Sequence, residues 1–155
     1  MEPFITNVAT PVGEFGVEGT ADAVTAIHLP HDHHRASTGT PPREVARAAR
    51  QLEEYFGGKR RQFDVALAPV AATRFQRQVW DALVAIPFGE VRTYGEVARS
   101  VDRPGASRAV GNANHVNPYP VIVPCHRVVA SAGLGGYGGG DVVKRFLLRL
   151  EGVSY

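Results

Sequence analysis

The sequence predicts an α+β protein: a small N-terminal strand/helix unit followed by a mainly helical C-terminal domain with a helix-turn-helix. Three observations carry this expectation. Residues 10–30 carry Val, Thr and Ile in short runs punctuated by glycine, the outline of short strands. From Pro42 onward apolar residues recur at spacings of three and four, the period of an amphipathic helix. In the second half, two short helical segments flank a tight Pro/Gly turn, as in a helix-turn-helix. The expected division is 1–72 for the N-terminal unit, which has a structural role, and 73–155 for the C-terminal domain.

Taken in order, "TPVGEFGVEGTADAVTAIHLP" reads as two or three strands broken at Gly13, Gly16, Gly19 and the Ala21–Asp22 turn. "HDHHRASTGTPP" is a polar loop ended by proline. Val45, Ala48, Ala49, Leu52 and Phe56 then form one helical face, and Gly57–Gly58 stops the helix. "RQFDVALAP" alternates Phe63, Val65 and Leu67, a strand pattern. Thr73 is placed to cap a helix with Phe75, Val79, Leu83 and Ile86 on its inner face, ended by Pro87 and Gly89. Thr93 caps the next, and Glu96 completes a capping box. After the turn "DRPG" comes the helix "ASRAVGNANHV". "NPYP" is a rigid turn feeding "VIV", a short buried strand or extended run. The glycine-dense "VVASAGLGGYGGG" precedes a last helix with Val142, Phe146, Leu147 and Leu150 as its inner face.

A chain of 155 residues is long enough to bury a real core. It has no apolar run of membrane-spanning length and no basic-then-apolar leader pattern. The single cysteine excludes an internal disulfide, and a free thiol suits a reducing compartment, so a cytoplasmic protein is expected. Residues 1–73 carry seven basic against nine acidic side chains, and residues 74–155 carry ten against six. That asymmetry fits a C-terminal half that meets a polyanion, and equally a scatter of solvated charges. A helix-turn-helix outline is also shared with ordinary helical hairpins, so neither feature alone assigns a partner.

The chemistry concentrates in "PVIVPCHRVV", which holds that lone cysteine, Cys125, directly before His126. A thiolate is a strong nucleophile and a thiol is a poor one, so activation needs a base or a positive charge. Sequence neighbours point in different directions, so a water would have to connect the sulfur to the imidazole. Glu151 is available to orient the histidine as the third group of a relay. A small buried hydrophobe would read the same way from composition alone.

The same residues resemble the active-site motif of the O6-alkylguanine-DNA alkyltransferases, the methylated-DNA–protein-cysteine methyltransferases. "FQRQVWDAL", "IPFGEVRTYGEVA", "SRAVGNANHVNPYPVIVPCHRVV", "GYGGG" and "KRFLLRLEG" fall in that family's order across residues 73–152. The N-terminal unit resembles it only in outline, through "TPVGEFGV" and the helix ending "EEYFGG". The resemblance implies direct-reversal DNA repair, a single-turnover transfer of a methyl or larger group from the O6 of guanine to Cys125. It implies that His126 takes the thiol proton through a water and Glu151 holds the histidine. Tyr94 would protonate the departing purine, and Asn117 would tie the cysteine turn to the helix-turn-helix. The carbonyls of Cys125 and Val128 would accept from the guanine amine, Tyr137 would flank the pocket, and the Gly138 amide would reach O6. Gly138 stands where some relatives have serine, and the 130–136 loop is one residue shorter than in others. Both departures leave the range of accepted alkyl groups open.

A base inside a duplex is unreachable, so the resemblance implies that the nucleotide is flipped out of the stack. Arg108 would fill the vacated space. Ala106, Ser107, Ala109 and Gly111 would let their helix approach the minor groove closely, with His115 and Ser131 as candidates for phosphate or sugar contact. The expected partner is double-stranded DNA carrying O6-alkylguanine, met by a monomer, with cooperative assembly along DNA left open. No cofactor and no metal are expected: "HDHH" at 31–34 reads as a solvated loop, and the cysteines that hold zinc in some relatives are absent there. Two rivals stand beside this reading. One is a lesion-binding module without transfer, against which the presence of Cys125 speaks. The other is a cysteine hydrolase, which would need oxyanion donors and an ester or peptide pocket.

Overall fold

The computed structural model describes residues 2–155. They form a mixed α+β fold in which strands come first and helices dominate afterwards. Backbone contacts divide the chain into two compact units, one ending at Val70 and the other running from Ala71 to Tyr155. Among the described residues, no helix is long and apolar enough to cross a membrane.

The first unit is an antiparallel sheet in the order β1 (Phe4–Thr10), β2 (Gly13–Gly19), β3 (Val24–His28), followed by helix α1 (Arg43–Phe56). Phe15, Val17 and Val24 from the sheet, with Val45, Ala48, Leu52 and Tyr55 from α1, are fully or almost fully buried. Two expectations are corrected here. Gly16 lies inside β2 and does not break it, whereas the strand begins at Gly13 and ends at Gly19 as expected. Gly19 is needed because the Ala23–Val24 backbone crosses so closely that an added Cβ would sit 2.5 Å from the Ala23 carbonyl. The Phe63–Leu67 segment forms no strand; its backbone pairs with β3 at the Val24–Leu67 bridge. Side chains of α1 occupy its backbone donors: the Asp64 amide donates to Gln51 Oε1 and the Ala66 amide to Glu44 Oε2. In the "HDHH" loop, His34 stacks on His28, and His28 pairs with Glu18 at 2.8 Å.

The second unit contains α2 (Arg74–Val84), α3 (Tyr94–Ser100), α4 (Ser107–His115) and α5 (Gly140–Leu150). A two-residue parallel pair joins β4 (Arg92–Thr93) to β5 (Val128–Val129). Thr73 and Thr93 both form the full capping box, with Gln76 and Glu96 as reciprocal partners. Trp80 Nε1 donates to the Ala113 carbonyl at 2.9 Å and pins α2 to α4. "VIV" is not a strand: Val121 takes a left-handed φ of 76°, a strained conformation for a β-branched residue, and Cys125–Arg127 form one 3-10 turn. The inner face of α5 is also corrected. Val143, Lys144, Leu147 and Leu148 are buried, whereas Val142 is 69% exposed. The helix is rotated by about one residue because Lys144 and the following Glu151 are both drawn inside.

Replacing Thr73 by alanine removes the α2 cap, remote from the site described below. It is expected to lower unfolding stability by about 1 kcal/mol, measured by urea titration.

Candidate active site

The short β4–β5 ladder organises the site. Pairing Arg92 with Val128 and Thr93 with Val129 sets Tyr94, the first residue of α3, beside the segment that leaves Cys125. Tyr94, Cys125 and Tyr137 then line one cavity of about 700 Å³, together with Arg108, Gly111 and Gly138. That volume lies within the range of small-molecule sites. Of the other residues expected to meet DNA, Ser107 and His115 also line this cavity, on α4. Ala106 is the α4 N-cap and Ala109 is exposed on the same helix. Ser131 is exposed in the turn after β5 and does not line the cavity.

Cys125 and His126 are buried. His126 Nε2 lies 2.8 Å from Glu151 Oε2. The carboxylate can only accept, so Nε2 carries the hydrogen. Burial holds the imidazole below its ordinary pKa, and the neighbouring Glu151 only partly opposes this. A neutral ring protonated on Nε2 leaves Nδ1 as a proton acceptor. Nδ1 is buried without a protein hydrogen-bond partner. A polar atom in that state costs free energy unless it serves a purpose.

Glu151 is fixed from several sides. Arg127 donates Nε to Oε1 at 2.8 Å and Nη2 to Oε2 at 3.0 Å, and sends Nη1 to the Ile86 carbonyl at 2.6 Å. The Gly89 amide adds a long contact of 3.4 Å to Oε1. Such a bidentate guanidinium–carboxylate pair is strong and directional, and both partners are buried.

Burial raises the Cys125 thiol pKa, opposed by a hydrogen bond from Asn117 and by the charge of Lys144. At rest the sulfur is therefore a neutral thiol. Asn117 donates Nδ2 to the Val123 carbonyl at 2.8 Å and accepts from the Tyr119 amide at 2.9 Å, which ties the end of α4 to the cysteine turn. The Tyr94 hydroxyl donates to the Gly136 carbonyl at 3.2 Å, and burial raises its pKa as well. Gly135, at φ 76°, passes so close to Tyr94 that a Cβ would meet its hydroxyl at 3.0 Å. The Val128 carbonyl already accepts from Lys144 Nζ at 2.6 Å. A carbonyl oxygen has two lone pairs, so one acceptor position remains there.

Sequence reasoning missed Lys144, Arg127 and Gly89. "KRFLLRL" gave no signal for Lys144, because a lysine in an amphipathic helix ordinarily faces solvent. Arg127, directly after the Cys–His pair, was open to suspicion on its position alone.

Residues 74–153 match the family described as the DNA-binding domain of 6-O-methylguanine DNA methyltransferase. The methylated-DNA–protein-cysteine methyltransferase of Methanosarcina acetivorans is 58% identical over 106 residues, 68% of this chain and 67% of that one. The protein of the same name from Mycobacterium bovis is 44% identical over 149 residues, covering 94% and 90%. The crystal structure of Mycobacterium tuberculosis OGT in complex with DNA superposes with a TM-score of 0.84 at 42% identity, over 96% of this chain and 92% of that one. The helical half thus carries the DNA-binding domain of the 6-O-methylguanine DNA methyltransferases. The chain as a whole belongs to the methylated-DNA–protein-cysteine methyltransferase family.

The neutral state of His126 has a consequence for stability. Its folded pKa lies below the unfolded value, so below about pH 6.5 the unfolded chain takes up a proton that the native state refuses. Stability is complete above that pH and is lost as pH falls toward the folded pKa. Urea titrations at descending pH should show a shallower loss in His126→Gln than in wild type; equal slopes would contradict a neutral buried ring.

Proposed function

We propose that this protein repairs O6-alkylguanine in double-stranded DNA by moving the alkyl group irreversibly to Cys125, once per molecule. The observation that carries this reading is the chain's one cysteine lining a cavity roomy enough for a purine base, while its neighbour His126 is held, buried and neutral, by Glu151. Family membership supports the same reaction class.

In this mechanism His126 Nδ1 removes the Cys125 proton through a bridging water, and Glu151 stabilises the imidazolium that forms. The sulfur attacks the O6-bound sp³ carbon in line. The S–C bond forms as the C–O6 bond breaks, and its electron pair leaves on the purine. Tyr94 passes its phenolic proton to a purine ring nitrogen and is re-protonated from His126, so thiol plus alkylguanine become thioether plus guanine. No oxyanion hole is required, which separates this site from a hydrolase. The carbonyls of Cys125 and Val128 accept from the guanine exocyclic amine, Tyr137 flanks the ring, and the Gly138 amide reaches O6.

The base reaches this cavity by flipping. Arg108 is exposed on α4 at the cavity edge, a position suited to filling the gap in the stack. Its helix is small-sided at Ala106, Ser107, Ala109 and Gly111, which favours close approach in the minor groove; His115 and Ser131 are assigned to the backbone. We assign binding and transfer to residues 73–155 and a structural role to 1–72, in a cytoplasmic protein that acts as a monomer.

Incubation with a duplex carrying one O6-methylguanine should add the mass of one methylene to the intact protein, on the Cys125 peptide, at a limiting stoichiometry of one. Cys125→Ser should abolish the gain. Arg108→Ala should slow transfer from duplex by about tenfold or more, the cost of a few kcal/mol of unstacking left uncompensated, and slow transfer from the free base far less. Repeated turnover, or equal loss on both substrates, would overturn the respective assignment.

A further inference from the structure

The loop before α5 has little of its own to fix it. Six of the eight residues from Gly133 to Gly140 are glycine, and glycine loses more conformational freedom on ordering than any other residue. Yet Gly136, Tyr137 and Gly138 line the cavity beside Cys125, a task that needs a fixed position. One anchor is polar: the Gly136 carbonyl accepts from the Tyr94 hydroxyl at 3.2 Å and from Lys144 Nζ at 3.0 Å. The other is apolar. Between Ser131 and Gly140, Leu134 is the one residue, among those described, that is buried.

Leu134 forms a cluster with Val129 of β5 and Leu148 of α5, and the partly exposed Val91, Val153 and Tyr155 pack against that cluster. The chain is turned back to reach it after α5. Gly152 takes a left-handed φ of 88°, and the Val153 amide donates to the Leu148 carbonyl at 2.9 Å. Arg149 Nη2 donates to the Tyr155 backbone oxygen at 3.0 Å. Ser154, between the two packed residues, is exposed. An apolar cluster adds stability wherever it sits, but this one has a particular neighbour. Leu134 directly precedes Gly135, which passes so close to Tyr94 that a Cβ there would lie 2.9 Å from its ring. Displacing Leu134 moves Gly135 off Tyr94, and the glycines that follow have no side chains with which to resist.

We propose that Leu134, Val153 and Tyr155 are positioning residues for the lesion: through one apolar cluster, the segment after α5 straps the glycine loop in place and sets the size of alkyl group the cavity admits. This rests on Cys125 being the acceptor of an alkyl group from a flipped base. A strapped loop meets the base already ordered, whereas a loose one draws its ordering entropy from the binding free energy. The strap therefore acts on lesion binding and leaves the thiol chemistry alone. A fixed wall also favours small alkyl groups, and a loosened one gives way to larger groups.

The test is single-turnover transfer against duplex concentration for wild type, Leu134→Ala, Tyr155→Ala and Tyr155→Phe, on matched duplexes carrying O6-methylguanine or O6-benzylguanine. Carbamidomethylation of Cys125 by iodoacetamide without DNA, thermal melts and heteronuclear NOEs of the glycine amides are recorded in parallel. Leu134→Ala and Tyr155→Ala should each raise the half-saturating concentration of methylated duplex about tenfold, with the limiting rate within about twofold of wild type. In both, the NOEs of Gly135, Gly136 and Gly138 should fall and the benzyl-to-methyl ratio of transfer efficiency should rise. Their iodoacetamide rates should match wild type, because the Cys125 turn is built from other residues. Tyr155→Phe keeps the packed ring and should behave as wild type. A Tyr155→Ala protein with half-saturation, NOEs and benzyl-to-methyl ratio unmoved would overturn the proposal. So would an iodoacetamide rate that changes in step with transfer, since the effect would then be general loosening of the site. Should Leu134→Ala fail to fold, Tyr155→Ala decides alone. Wild-type loop NOEs as low as that of Gly39, which an added Cβ would leave in open space, overturn the strap without any variant. If wild type forms no adduct from either duplex, the acceptor reading fails, while the NOEs still decide whether the segment after α5 orders the loop.

Discussion

The carboxylate of Glu151 is the group on which the rest of the site depends. It is sealed from solvent and receives His126 Nε2 and two nitrogens of Arg127, with Gly89 close by. A buried carboxylate is tolerated only when its lone pairs are filled, and each group that fills them is thereby fixed in place. Arg127 is locked to the Ile86 carbonyl just beyond α2, and the imidazole is locked in one tautomer. The unoccupied nitrogen of that ring follows from this geometry, as does its availability to take a proton.

The electrostatics divide into a resting and a reacting arrangement. At rest the thiol, the imidazole and the Tyr94 phenol are all held neutral by burial. A neutral thiol reacts slowly with incidental electrophiles, which suits a nucleophile that a one-use protein cannot replace. The hydrogen bonds and charge that favour the thiolate, from Asn117 and Lys144, are already assembled. Little reorganisation is then needed when the lesion enters, and preorganised electrostatics of this kind supply much of the acceleration in enclosed sites.

Local features were legible in the sequence; those created by tertiary contact were not. The Thr73 and Thr93 caps, the Thr93–Glu96 box and the glycine stop after α1 are written into a few adjacent residues and form as expected. Cys125, His126 and Glu151 could be singled out from residue chemistry and the family motif. The alternation of Phe63, Val65 and Leu67 misled because Gln51 and Glu44, distant in sequence, take the amides a neighbouring strand would have used. The face of α5 misled for a related reason. An apolar stripe through Val142 and Phe146 is the natural reading, but two buried ionic groups, Lys144 and Glu151, turn the helix toward themselves. The two-residue β4–β5 ladder that brings Tyr94 to the cysteine segment is too short to leave a periodic signal.

The central claim is that Glu151 holds His126 as a neutral ring protonated on Nε2, with Nδ1 free to accept. Nitrogen-15 chemical shifts of the His126 ring, recorded on the unalkylated protein near neutral pH, report that state directly. The account predicts a protonated Nε2 and a bare Nδ1. A hydrogen on Nδ1, whether as the other tautomer or as imidazolium, would contradict it.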